Sequence, residues 1–126
     1  MTSKLYRIEL NGNFIGTTEF EFSDVPMGVV FGKINFENIE SPYNLFKSFC
    51  LENNVEISDD DLEDKFLNTM IIPQLKVFYV DKNELKGWGA HIAGTDNEGF
   101  EIYYLGITED IMKSEFKNHY EKYFNN

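Results

Sequence analysis

The stretch Leu5-Tyr6-Arg7-Ile8-Glu9-Leu10-Asn11-Gly12-Asn13-Phe14-Ile15-Gly16 sets the fold class. Leu5, Arg7 and Glu9 alternate with Tyr6, Ile8 and Leu10, the period of two that marks a half-buried strand. Asn11-Gly12 then sits between two such runs, and both residues tolerate the positive φ that a tight hairpin turn requires. The sequence therefore predicts an antiparallel hairpin, with its return strand running from Phe14 to Phe22. In that strand Phe20 and Phe22 share one face and Glu19 and Glu21 take the other.

Working outward, Ser23-Asp24-Val25-Pro26-Met27-Gly28 reads as a turn, because Pro26 cannot sit in a central strand and Gly28 supplies conformational freedom. Residues Val29 to Phe36 predict a third strand. Ser41 is placed to cap a helix and Pro42 suits its first position. Leu45, Phe46, Phe49 and Cys50 recur at helical spacing, and Asn53-Asn54 ends the run. A second helix is predicted from Ser58, with Asp61 three residues on as a capping-box variant. Leu62, Phe66 and Met70 form its expected buried face, and Pro73 stops it. Leu75 to Val80, Leu85 to Ala93 and Phe100 to Ile107 read as three antiparallel strands of a meander. Thr108 caps a last helix carrying Glu109 and Asp110 in its first turn, with Met112, Phe116, Tyr120 and Tyr123 on one stripe. The expectation is a single α+β domain over residues 1–126. It has antiparallel sheets from an N-terminal hairpin plus third strand and from a C-terminal meander, two central helices and a C-terminal helix.

Composition narrows the function classes. A chain of 126 residues is the length of one domain, long enough to bury a core without disulfide staples. Eleven basic residues against 22 acidic ones leave a net charge of −11, which argues against nucleic acid or an anionic membrane as partner. The single Cys50 cannot form an internal disulfide. The N-terminus lacks the apolar stretch of a signal peptide, and the longest apolar run, Val77-Phe78-Tyr79-Val80, falls far short of a membrane span. A cytoplasmic protein is the expectation.

The charge is concentrated. Residues 1–63 hold 12 acidic and 4 basic side chains, whereas residues 64–126 hold 10 and 7. Glu52, Glu56, Asp59, Asp60, Asp61, Glu63 and Asp64 lie within thirteen positions without one base among them. Such a run keeps a surface solvated, and it also steers a basic partner inward. It does not make a calcium loop: counted from Asp59, Asp61 and Glu63 alternate correctly, but Asp64 takes the glycine position and Met70 the final one.

Catalytic and cofactor motifs are missing. His91 and His119 are the only histidines, with no spacing that builds a zinc site and no adjacent partner for general-base work. Cys50 falls on the apolar stripe of the first helix, the position of an inert core thiol. Gly87-Trp88-Gly89 lacks the further glycine and following helix of a nucleotide loop, so its glycines are read as shaping a strand to place Trp88. The sequence calls for no metal, cofactor or enzyme activity. Among the 20 aromatic residues most belong to the core, but Trp88, Tyr79, Tyr103 and Tyr104 are candidates for a protein-binding surface. Tyr103 and Tyr104 must point to opposite faces of a regular strand.

The run Asn11-Gly12-Asn13-Phe14-Ile15-Gly16, followed by Glu19-Phe20-Glu21 and Asp24-Val25-Pro26-Met27-Gly28-Val29-Val30-Phe31-Gly32, resembles a family of small acidic bacterial proteins. Ser41-Pro42-Tyr43 and Gly94-Thr95-Asp96-Asn97-Glu98-Gly99-Phe100-Glu101-Ile102 extend the likeness over most of the chain. Proteins of this kind resemble immunity proteins of polymorphic or contact-dependent toxin systems. The resemblance implies a cytoplasmic antidote that blocks one cognate toxin domain, and it supplies no catalytic residue. In that reading Glu52, Glu56, Asp59, Asp60, Asp61, Glu63 and Asp64 engage a basic toxin while Trp88, Tyr79 and Tyr103 anchor it. The alternative is a small-molecule-binding or regulatory domain with a pocket along Gly87 to Gly94; an enzyme ranks third.

Overall fold

The turn at Asn11-Gly12 forms as the sequence predicts, with φ of 52° and 83° at the two residues. A computed structural model describes residues 4–125. Strand β1 (Tyr6–Leu10) pairs antiparallel with β2 (Asn13–Thr18), with a bulge between Ile8 and Glu9. The return strand does not continue to Phe22. It ends at Thr18, the chain bends at Glu19 to Glu21 with Phe20 at φ 47°, and β3 (Phe22–Asp24) begins in a second sheet. Phe20 is buried and Phe22 is exposed, so the two do not share a face. Burial of the Phe20 ring holds that left-handed corner, together with a 2.7 Å hydrogen bond between His119 Nε2 and the Phe20 carbonyl.

The predicted third strand is divided in the same way. Strand β4 (Val29–Lys33) pairs with β3, and β5 (Asn35–Phe36) returns to pair with β2. Two segments of chain thus pass between sheets at corners, a means by which stacked sheets share strands. Helix α1 (Pro42–Glu52) follows with Ser41 as its N-cap and Pro42 at its start, as expected. It buries Tyr43, Phe46 and Cys50.

The second central helix is not formed. Residues 57–69 are a hairpin of β6 (Ile57–Asp61) and β7 (Phe66–Thr69). Asp61 Oδ1 accepts the backbone N–H groups of Glu63 at 3.0 Å and Asp64 at 3.2 Å. This local bond gives the backbone an alternative to a helical turn. Leu62 and Met70, expected inside a helix, are exposed, while Leu67 and Thr69 are buried at a strand period.

The three C-terminal strands do not form one meander. Strand β8 (Leu75–Phe78) pairs with β1, while β9 (Gly89–Thr95) and β10 (Gly99–Leu105) form a hairpin in the other sheet. Residues 84–85 fold back on β8 only briefly before the chain crosses over, and Gly87 passes so close to Tyr104 that a Cβ would lie 2.5 Å from its ring. The predicted last helix is two: α2 (Glu109–Ser114), capped by Thr108, and α3 (Lys117–Phe124), with the break at Glu115 and Phe116.

The architecture is α+β. One antiparallel sheet has the order β5-β2-β1-β8 and the other β3-β4-β10-β9-β7-β6. Tyr6, Ile8, Leu10 and Val77 of the first share a core cluster with Val30, Ile92, Phe100, Ile102 and Tyr104 of the second. Helix α1 enters that cluster through Phe46, whose ring lies 6.0 Å from Phe100. The strand period leaves Phe22, Phe31, Tyr103 and His91 on the opposite face of the six-stranded sheet.

Candidate functional site

The outer face of the six-stranded sheet carries two features. Across its middle, Phe22, Phe31, Tyr103 and His91 occupy directly opposed positions on β3, β4, β10 and β9. Their rings stack in series, with centroids 5.4, 4.9 and 4.9 Å apart. Cross-strand aromatic pairs stabilise a sheet, and here they leave a row of rings, stacked face against face, on its outward side. Phe22 is the most exposed of the four. The Tyr103 hydroxyl donates to Glu101 Oε1 at 3.0 Å. Burial, with that carboxylate, holds Tyr103 protonated by raising its pKa. Burial also lowers the pKa of His91, so the ring at the end of the strip is held neutral.

At one end of the same sheet the β6–β7 and β9–β10 turns stand side by side, because β7 pairs with β9 in the register Phe66↔Thr95. Between them is an open cleft of about 890 Å³. Asp59, Asp61, Glu63, Asp64, Asp96 and Glu98 line it, and among the described residues Lys65 is the only basic one that does. Asp59 and Asp61 lie on the same face as the aromatic strip, since they oppose Asn68 and Phe66.

The sequence-predicted residues are thus partly united. Asp59, Asp61, Glu63 and Asp64 come together in the cleft, but Glu52 and Glu56 lie outside it, exposed. Asp60 faces the other way. Its carboxylate accepts the Tyr43 hydroxyl and pairs with Lys47 at 3.0 Å, and these bonds lower its pKa. Tyr103 belongs to the strip. Tyr104 points into the core, as the alternation of that strand requires. Tyr79 packs against Tyr6 at 6.1 Å in the region of the other sheet, half-buried. Trp88 is exposed but stands at the far end of β9, roughly 20 Å from the cleft at about 3.3 Å per strand residue. Asp96 and Glu98 escaped sequence reasoning, because their place in the cleft depends on the long-range pairing of β7 with β9. The aromatic strip escaped it too, although the alternation in Phe100 to Leu105 already separates Tyr103 from the core.

Cys50 is fully buried and its thiol is pushed up to about 11 by burial, the state of an inert core cysteine. Among the described residues no group of three or more His, Cys, Asp or Glu side chains is arranged to hold a metal ion. No helix among them is long and apolar enough to cross a membrane. Neither protein-family models, curated proteins nor solved structures give a match to this chain.

Proposed function

We propose that this protein is a binding module that inhibits a basic partner protein, an immunity protein acting on a toxin domain in a bacterial cytoplasm. The observation that carries the reading is the placing of an acidic cleft and an aromatic strip on the same face of one sheet. Six carboxylates facing one lysine raise the encounter rate with a basic surface. The strip supplies apolar contact along the edges of its stacked rings, chiefly at the exposed Phe22. Such an inhibitor needs no catalytic group of its own. It covers the partner's functional surface.

The test is capture on the tagged chain, elution with rising salt, and reconstitution of the retained protein with the pure chain. The expected result is a 1:1 complex in which the partner's toxic activity is abolished. Association should slow at least about tenfold between low and high salt, because exposed charges are screened. Asp59→Asn, Glu63→Gln and Asp64→Asn combined should slow it about tenfold while leaving the melting temperature nearly unchanged. A partner that keeps full activity at saturating chain would refute inhibition. Salt-independent association would remove the cleft from the account.

A further inference from the structure

A second concavity lies at the opposite end of the β9–β10 hairpin from the acidic cleft. The β3–β4 turn, Trp88, the β10–α2 junction and α3 enclose a groove of about 520 Å³, within the size range of small-ligand sites. Its walls are apolar and strongly exposed: Trp88 retains 80% and Met27 70% of their accessible surface. Trp88, the chain's only tryptophan, is held in place by a glycine. A Cβ on Gly106, whose φ is +74°, would lie 2.2 Å from Trp88 Cγ, so the indole rests against bare backbone and leaves most of its surface at the groove.

The chemistry of the lining identifies what fits. Among the described residues Glu109 is the one carboxylate in the groove wall, and no basic residue lines it. Beside it the Lys113 ammonium lies 5.6 Å from the centre of the Tyr120 ring and 4.0 Å from Glu109 Oε1. The chain itself thus places a cation against the aromatic face and the carboxylate. Lys113 is half exposed and free to swing away. Beyond the Glu109 carboxylate and the Thr108, Tyr120 and Tyr123 hydroxyls the wall is apolar, through Met27, Trp88, Met112 and Phe124, which gives alkyl groups on an ammonium a surface to cover. The net charge of −11 adds a field that concentrates cations at the surface.

We infer that this groove binds a small organic cation. Its alkylated ammonium replaces that of Lys113 over Tyr120 and beside Glu109, and its apolar skeleton lies against Trp88 and Met27. This function is separate from partner inhibition, which uses the other end of the hairpin.

Trp88 is its own reporter. Emission of the full chain is titrated with benzyltrimethylammonium and choline, and with 3,3-dimethylbutan-1-ol, the neutral isostere of choline. Saturable shifts are expected for the cations, with choline favoured about tenfold over its isostere. Calorimetry on Glu109→Gln should show several-fold weaker binding, and on Lys113→Ala several-fold tighter binding, since an internal competitor is gone. Far-UV circular dichroism confirms that both variants fold. Equal binding of the neutral alcohol, no saturable response to either cation, or weaker binding in Lys113→Ala would each overturn the inference.

Discussion

Tyr104 donates its hydroxyl proton to the Leu85 carbonyl at 2.6 Å inside the core, and burial pushes its pKa up to about 12. The folded state therefore favours the protonated phenol. Stability from this group is complete below the unfolded value near pH 10 and is lost as pH rises toward 12, at about 1.4 kcal/mol per pH unit. Tyr6 adds to the same alkaline loss, raised by burial and by its hydrogen bond to Glu115. Tyr104→Phe should cost about 1–2 kcal/mol at pH 8, where the Leu85 carbonyl loses its donor. Its stability should then fall less steeply than the parent's between pH 10 and 12, as urea midpoints across that range will show. Gly106 is the other sensitive position. Gly106→Ala meets both a left-handed backbone and the Trp88 ring. A loss of about 1–3 kcal/mol is expected, seen in calorimetry as a lower melting temperature.

Helix α1 is held at its N-terminus by more than its own cap. Ser41 Oγ accepts the Asn44 N–H at 3.2 Å and donates to Asp96 Oδ2 at 2.6 Å, while the Tyr43 N–H donates to Asp96 Oδ1 at 2.8 Å. Asp96 therefore ties the β9–β10 turn to the helix, although it also lines the acidic cleft. Asp96→Asn should destabilise the fold by about 1–3 kcal/mol, because it weakens hydrogen bonds to a charged acceptor. Glu98→Gln, beside it and exposed, should change stability by about 0.5 kcal/mol or less; denaturant titration of both variants separates a structural carboxylate from one free to meet a partner. The Ser41-Pro42 start of α1 was legible because its signal is local. So were the Asn11-Gly12 hairpin, the Thr108 cap and the opposed directions of Tyr103 and Tyr104. The β6–β7 hairpin was not: Asp59-Asp60-Asp61 suits a helix start as well as a turn, and the Asp61 side chain's bonds to Glu63 and Asp64 settle the outcome. Nor were the corners at Phe20 and Ile34, where segments of unbroken strand-like alternation change sheets, and where Gly32, whose Cβ would lie 2.9 Å from Phe20 Cα, is needed only because the two corners meet. Of the candidate site, Asp59, Asp61, Glu63 and Asp64 were readable as an acidic cluster; Asp96 and Glu98 depended on β7 meeting β9, and the aromatic strip on the pairing of β3, β4, β10 and β9.

Across the whole molecule, charge and apolar contact are segregated along one hairpin, with the acidic cleft at its turn and the Trp88 groove at its open end. The two sheets between them share one core and two connecting corners, so neither is expected to melt alone. Far-UV dichroism and near-UV tyrosine signals should give coincident urea transitions; two separated midpoints would show that the sheets unfold independently. The order of the strands also has a consequence for synthesis. β1, at Tyr6–Leu10, finds one neighbour only when Leu75–Phe78 has been made, and β4 waits for Tyr104. Most of the chain must therefore leave the ribosome before either sheet is complete, and long-range pairings of this kind close slowly. During that interval the nascent chain displays unpaired, aromatic-rich strands to its neighbours. The acids that precede Phe66 emerge before the central hairpin of the larger sheet, and their like charge opposes contact between unfinished copies.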